Sequence, residues 1–217
     1  MSENKSYKLI AVIAILVGAI GVAIGYSAFS SNLIINSSAE VTPDSDLFSV
    51  KFSSSSQSVQ TNNITPTLTP QNVTGLSGTN ATISNSGDPT ISNLKATFTE
   101  PGQSVTYSFY AYNDGEYIAY LNSITFNGTK SCTAKNTTTQ SLVDAACNGI
   151  SLSVTVGEND KTQTATETVS SISSHSLATD TAEPVSVTIT YAANSAIADG
   201  DFDVTLPSVT LKYDSVD

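Results

Sequence analysis

Hydrophobic and polar residues alternate with a period of two along most of the chain after residue 28. Successive side chains of a strand point to opposite faces, so this alternation predicts strands with one buried and one solvated face. No segment in this part of the chain shows a sustained helical period. The alternating stretches fall at residues 48–52, 94–98, 105–111, 118–126, 150–156, 185–191 and 202–213.

Two local signals refine the strand pattern. Asn113-Asp114-Gly115 separates two alternating stretches, and these residue types suit tight turns, so a β-hairpin is predicted from 104 to 126. Near the end of the chain the apolar residues change parity at Pro207. This change predicts a β-bulge within one last strand.

The strands define the expected fold class. Roughly eight or nine strands that each bury one face predict an all-β, antiparallel β-sandwich. Residues 53–90 and 157–183 are rich in small polar residues, Gly and Pro. We expect long surface loops there, with a short strand near 166–172, on a single domain that spans 28–217.

Composition narrows the function classes. The net charge is −11, all eight basic residues are lysines, and only 12% of residues are charged. An acidic chain without arginine lacks the cationic surface that binds nucleic acid. The 34 serines and 29 threonines suit the solvated faces of an extracellular sandwich.

The N-terminus is typical of an exported protein. Lys5 and Lys8 precede an uncharged apolar run from residue 9 to residue 24. This charge distribution keeps the N-terminus in the cytoplasm. Small residues at Gly25 and Ser27 predict signal-peptidase cleavage between Ser27 and Ala28, so residues 1–27 form a signal peptide. One alternative is that residues 9–29 remain uncleaved as a hydrophobic helix that anchors the protein in the membrane. Another is a pilin-like route, in which processing happens before this apolar run.

Export into an oxidising compartment bears on the two cysteines. Cys132 and Cys147 form an even pair and enclose a Thr/Asn-rich stretch, which favours one disulfide bond. The alternative is two unrelated buried thiols.

Candidate catalytic and metal-binding residues are few. His175 is the only histidine and lies in Ser-Ser-His-Ser, which predicts an exposed loop position. No nucleophile motif or His-Glu-x-x-His accompanies it, so we do not expect an enzyme. Asp199, Asp201 and Asp203 are weak calcium candidates, since alternate carboxylates suit a hard cation. The alternative is an acidic junction between a loop and a strand, and no other cofactor is expected.

Five tyrosines surround the predicted hairpin. Parity places some of them in the core and some on the outer face, where they form a candidate patch for a sugar or a neighbouring subunit. They are Tyr107, Tyr110, Tyr112, Tyr117 and Tyr120.

Two segments resemble a known family. Residues 25–31, GYSAFSS, follow a Gly-rich apolar run, and residues 101–109, PGQSVTYSF, continue through 112–115, YNDG, to 119–121, AYL. Both are similar to the TasA/camelysin family of secreted bacterial biofilm-matrix proteins, whose signal peptide is cut by a SipW-type peptidase. Together they span 28 of the 217 residues, about an eighth of the chain.

The resemblance implies a jelly-roll-like sandwich that polymerises into extracellular fibres. In such fibres the freed N-terminal segment adds as a strand to the next subunit. Here that segment is 28–42, with Phe29, Leu33 and Ile35 as its apolar residues; the alternative is pairing within its own domain. The metalloprotease label of the camelysin branch finds no metal-binding motif in this sequence.

These observations predict an exported structural protein of the cell surface or extracellular matrix that assembles with itself. Its partners are other copies of the chain, the signal peptidase during export, and the membrane through 9–29 before cleavage. The alternative is a membrane-tethered adhesin or carbohydrate-binding β-sandwich module.

Overall fold

The computed structural model describes residues 47–157, 161–164, 169–170 and 175–215. The signal peptide, the cleavage position at Ser27 and Ala28, and the assembly residues Phe29, Leu33 and Ile35 lie outside these residues. Those expectations stay predictions.

The described residues form sixteen strands and one helix. The helix, α1, spans Gln140–Cys147. The strands are β1 (Val50–Ser53), β2 (Thr67–Thr69), β3 (Ser77–Gly78), β4 (Thr82–Ser84), β5 (Thr90–Ser92), β6 (Lys95–Phe98), β7 (Ser104–Asn113), β8 (Ala119–Asn127), β9 (Ser131–Ala134), β10 (Ile150–Val156), β11 (Lys161–Thr164), β12 (Val169–Ser170), β13 (Ser176–Leu177), β14 (Thr181–Tyr191), β15 (Phe202–Thr205) and β16 (Ser208–Asp214).

The strands pair into three antiparallel sheets, which confirms the all-β, antiparallel prediction. The first sheet has the order β1-β7-β14-β10-β11, with β2 also on β7. The second has the order β12-β8-β16-β5-β4, with β13 also on β8, and the third has the order β3-β6-β15-β9. The longest pairing joins β7 to β14, from Ser104 opposite Thr190 to Asn113 opposite Thr181.

The apolar positions of each long strand face one shared core. On β14, the residues Val185, Val187, Ile189 and Tyr191 are all at most 1% exposed, as their alternation predicts. The Tyr191 ring packs against Phe98 and Phe202 of the third sheet, with ring centroids 5.8 and 5.5 Å apart. Burial of each large side chain contributes about 1.5–3 kcal/mol, so this contact holds the sheets together.

The predicted hairpin from 104 to 126 is wrong, because β7 and β8 belong to different sheets. The Asn113 amide donates to the carbonyls of Tyr117, at 2.8 Å, and Leu177, at 3.1 Å, and its Oδ1 accepts from Gly115 N–H at 3.1 Å. A Cβ on Gly115 would lie 2.6 Å from the Ser49 backbone nitrogen. The turn therefore carries the chain past β1 and across the core.

The predicted bulge at Pro207 is also wrong. Strand β15 pairs with β6 and β9, whereas β16 pairs with β8 and β5, so the chain changes sheets between them. The change of parity keeps apolar side chains in the core after this crossing. A register shift does occur, at Lys212/Tyr213 in β16.

The two expected long loops contain regular structure. Residues 53–90 include the short strands β2, β3 and β4, and residues 157–183 include β11, β12 and β13. Strand β12 lies within the short strand expected near 166–172. Helix α1 was not predicted; it buries only Val143 and Ala146, a spacing too brief to register as a helical period.

Candidate functional site

The only histidine lies in the core, so the exposed position predicted for it is wrong. His175, Glu183 and Tyr213 are 7%, 8% and 5% exposed. The Nε2 atom of His175 contacts Oε2 of Glu183, and the Tyr213 hydroxyl donates to Oε1 of Glu183 at 2.8 Å. Each oxygen of the buried carboxylate therefore has a partner.

This His175–Glu183–Tyr213 network joins the first and second sheets. Glu183 occupies a core-facing position of β14, and Tyr213 does so on β16. The His175 carbonyl also accepts from Leu121 N–H of β8, at 2.9 Å. Burial, together with the charge and hydrogen bond of Glu183, raises the pKa of Tyr213 well above its usual value.

Gly157, which directly follows β10, packs closely against the His175 and Glu183 side chains of this network. Its φ of +68° lies in the left-handed region, and a Cβ there would be 2.7 Å from His175 Cε1. Its N–H donates to the Pro184 carbonyl at 2.8 Å. The position therefore requires glycine for both its conformation and its close contact.

A depression of about 210 Å³ lies on the outer face of the first sheet, beside Gly157. Tyr110 and Pro184 are cross-strand neighbours on β7 and β14 and form one wall. Ser108 and Ser186 are the next pair along the same face, and their small side chains leave the recess between the strands.

The serine hydroxyls in this depression differ in their hydrogen bonding from the threonine hydroxyls of the next cross-strand pair. Thr106 and Thr188 are also cross-strand neighbours, and their hydroxyls hydrogen-bond each other at 3.0 Å. Within the described residues, the Ser108 and Ser186 hydroxyls have no such protein partner. The depression thus offers two available hydroxyls beside a tyrosine ring and a proline.

Two of the three calcium candidates have separate side-chain partners, and the backbone carbonyl of the third, Asp201, accepts from the Thr138 hydroxyl at 2.9 Å. Asp199 accepts from Thr139 N–H at 2.8 Å and from its hydroxyl at 2.6 Å, and these bonds lower the Asp199 pKa. Asp203 Oδ1 accepts from the Thr97 hydroxyl at 2.6 Å and lies 3.2 Å from Lys135 Nζ. Among the described residues, no three His, Cys, Asp or Glu side chains are grouped to hold a metal ion.

Cys132 and Cys147 form a disulfide bond, as predicted. It ties β9 to the end of α1, with Cα atoms 6.0 Å apart. Lys130 Nζ donates to the Cys147 carbonyl at 2.7 Å and to the Ile150 carbonyl at 2.6 Å. Burial lowers the Lys130 pKa.

The five tyrosines divide between core and surface, as parity predicted. Tyr107 is buried, and its hydroxyl donates to the Thr79 and Lys95 carbonyls at 2.9 and 3.0 Å. Burial raises the pKa of Tyr107 to about 12. Tyr117 is 54% exposed. The remaining three are half-buried: Tyr110, Tyr112 and Tyr120.

Large exposed hydrophobic side chains lie at two opposite ends of the long strands. Leu47, Tyr117 and Ile118 form the turn-end group, where Leu47 O accepts from Glu116 N–H at 2.9 Å. Leu142 of α1 and Ile197 are named the helix-end group, because each lies close in sequence to one partner of the Thr139–Asp199 hydrogen bond. Strand β7 runs ten residues between these ends, about 30 Å.

In the part of the chain that the structure describes, no helix is long and apolar enough to cross a membrane. Comparison with protein-family models, curated proteins and solved structures finds no match.

Proposed function

We propose that this chain is an exported structural protein of the cell surface or extracellular matrix that assembles with itself into fibres. The fold on which it does so is a jelly-roll-like sandwich. The N-terminal segment 28–42 joins subunits by strand addition, with Phe29, Leu33 and Ile35 in pockets of the neighbour.

The position of the two apolar end groups carries this proposal. A subunit with one exposed apolar group at each of two opposite ends binds the next subunit head to tail. Repeated head-to-tail contacts build an open filament unless the rotation between subunits closes a ring. The sheet faces between the ends carry Ser and Thr, as along β10 and β14. Lateral contact between faces is therefore disfavoured relative to contact between ends.

The edge of the first sheet adds support. Among the strands that the structure describes, β1 lies at an edge of the first sheet and has four residues, and the N-terminal segment 28–42 ends shortly before it in the sequence. Edge strands present unpaired backbone groups that accept an added strand. Asn85 already covers part of this edge, since its side chain bonds the Phe52 N–H at 2.7 Å and carbonyl at 2.9 Å.

Negative-stain imaging of the protein that begins at Ala28 tests the proposal. We expect fibres from this protein, and short particles after deletion of 28–41. Ile197→Ser changes a side chain that is 67% exposed, so it reduces fibre length without loss of folding. Ser151→Ala, on the exposed face of β10, is the matched control. Monodisperse particles at high concentration would contradict self-assembly.

The rival function, a membrane-tethered adhesin, differs in its N-terminus. N-terminal sequencing of the protein recovered from cells distinguishes the two. A start at or near Ala28 supports assembly of a released protein. An intact terminus that still contains Lys5 and Lys8 supports the anchored protein with residues 9–29 in the membrane.

A further inference from the structure

We propose that the depression beside Gly157 is a binding subsite for one ring of a neutral, β-gluco-configured polysaccharide. The inference concerns the single subunit and does not depend on self-assembly. The ring of Tyr110 and the face of Pro184 would stack against the sugar, and Ser108 and Ser186 would hydrogen-bond its hydroxyls.

The chemistry of the lining selects this ligand class. None of the described residues that line the depression carries a charged side chain. An ionic ligand would therefore enter without a counter-charge, and an anionic one would also meet a net charge of −11. A neutral ligand rich in hydroxyls has no such cost.

The two walls match the two kinds of surface on a sugar ring. A β-glucose ring holds its hydroxyls equatorial, so its faces are apolar C–H surfaces and its rim is polar. Tyr110 is half-buried by its neighbours, which limits its freedom and lowers the cost of ordering on binding. The unpartnered Ser108 and Ser186 hydroxyls lie one residue pair away along the strands, within reach of the rim.

The volume and the open shape of the depression limit how much of a ligand it can hold. A volume of about 210 Å³ is below the usual range for a small-molecule pocket, and the depression lies on an open sheet face. It therefore accommodates one ring of a longer chain rather than an enclosed ligand. Affinity for a single site is weak and grows when several subunits bind one polymer.

Isothermal titration of the full chain in a sugar-free zwitterionic detergent tests the proposal, with cellohexaose as the probe. We expect saturable binding that Tyr110→Ala weakens at least tenfold. Tyr112→Ala is the matched control, because Tyr112 lies two residues further along the same face of β7 and does not line the depression. It should bind within twofold of the unchanged chain. Tyr110→Phe keeps the ring and should bind within threefold.

Two further measurements make the result decisive. Melting temperatures of the variants establish that each is folded, and Ser108→Ala with Ser186→Ala should weaken binding about threefold or more. Oligogalacturonate, which is anionic, should bind at least tenfold more weakly than cellohexaose. Absence of saturable cellohexaose binding, or equal losses in Tyr110→Ala and Tyr112→Ala, would overturn the proposal. Either result would leave fibre formation untouched.

Discussion

Removal of the Cys132–Cys147 disulfide should destabilise the protein through its unfolded state. The bond closes a segment with a sequence separation of 15 residues. In the chain-entropy treatment, a loop of that size contributes about 3 kcal/mol at 25 °C. For a domain of this size each kcal/mol shifts the melting temperature by about 2–4 °C, so the expected loss is about 6–12 °C.

The native contacts around the bond explain why the folded state should survive its loss. The Gln140 side chain joins α1 to β9 independently, because its Nε2 donates to the Cys132 carbonyl at 3.1 Å and its Oε1 accepts from Ala134 N–H at 2.9 Å. Lys130 also ties the end of α1 to β10 through two carbonyls. The folded structure therefore keeps its connections when the sulfurs are separated.

Thermal and urea unfolding of the unchanged chain, the reduced chain and a Cys132→Ser/Cys147→Ser variant provide the test. The reduced chain and the variant should melt together, below the oxidised chain. Their urea m-values should be higher, since an unlinked unfolded chain exposes more surface. If both melt within about 1 °C of the oxidised chain, the loop-entropy argument is refuted. Loss of the native near-ultraviolet circular dichroism would refute the independence of the folded state.

Three further predictions concern the buried polar groups and the glycine beside them. Tyr213→Phe removes the hydroxyl that donates to Glu183 Oε1, so we expect the free energy of unfolding in urea to fall by about 1–3 kcal/mol. The exposed control, Tyr117→Phe, should lower it by less than about 0.5 kcal/mol. Equal effects of the two substitutions would contradict the stabilising role of the buried hydrogen bond. Gly157→Ala should lower the melting temperature more than Gly87→Ala, because both glycines have a positive φ but only the added Cβ at 157 would meet other atoms. Equal melting temperatures would show that backbone conformation alone determines the effect. The pKa of Tyr107 is raised to about 12, so its burial favours the folded state fully below pH 10, and stability falls as pH rises from 10 to 12 while the unfolded tyrosine ionises. Unfolding measured at several pH values should show a shallower alkaline decline for Tyr107→Phe, and an unchanged slope would contradict this assignment.

Local alternation predicted the long strands, because it records which side of each strand is buried. The same alternation does not identify the partner strand, however, and this is why the hairpin after Asn113 and the bulge at Pro207 were wrong. In both places a turn suited to a hairpin or a bulge carries the chain to another sheet. Partner choice depends on contacts distant in sequence, which a local pattern does not contain.

The buried histidine was missed because its immediate neighbours are polar. A signal for it does exist in β14, where Glu183 occupies the same parity as Val185, Val187 and Ile189. A carboxylate on a core-facing position needs a buried partner. His175 was the sole histidine able to supply one. The depression beside Gly157 left no comparable signal, since it arises where small and large side chains of two distant strands become neighbours.

The crossing of the chain between sheets has a kinetic consequence. Strand β7 finds its long partner in β14 and β8 finds its partner in β16, with Ser104 opposite Thr190 and Thr125 opposite Thr210. Neither pairing can begin as a local hairpin. The chain between the partner strands must therefore lose loop-closure entropy before the stabilising contacts between those strands form. Folding on a timescale of roughly milliseconds to seconds is expected for such topology. Strand β16 follows both of its partners, β8 and β5, in the sequence, so the second sheet cannot be completed until β16 is available to pair.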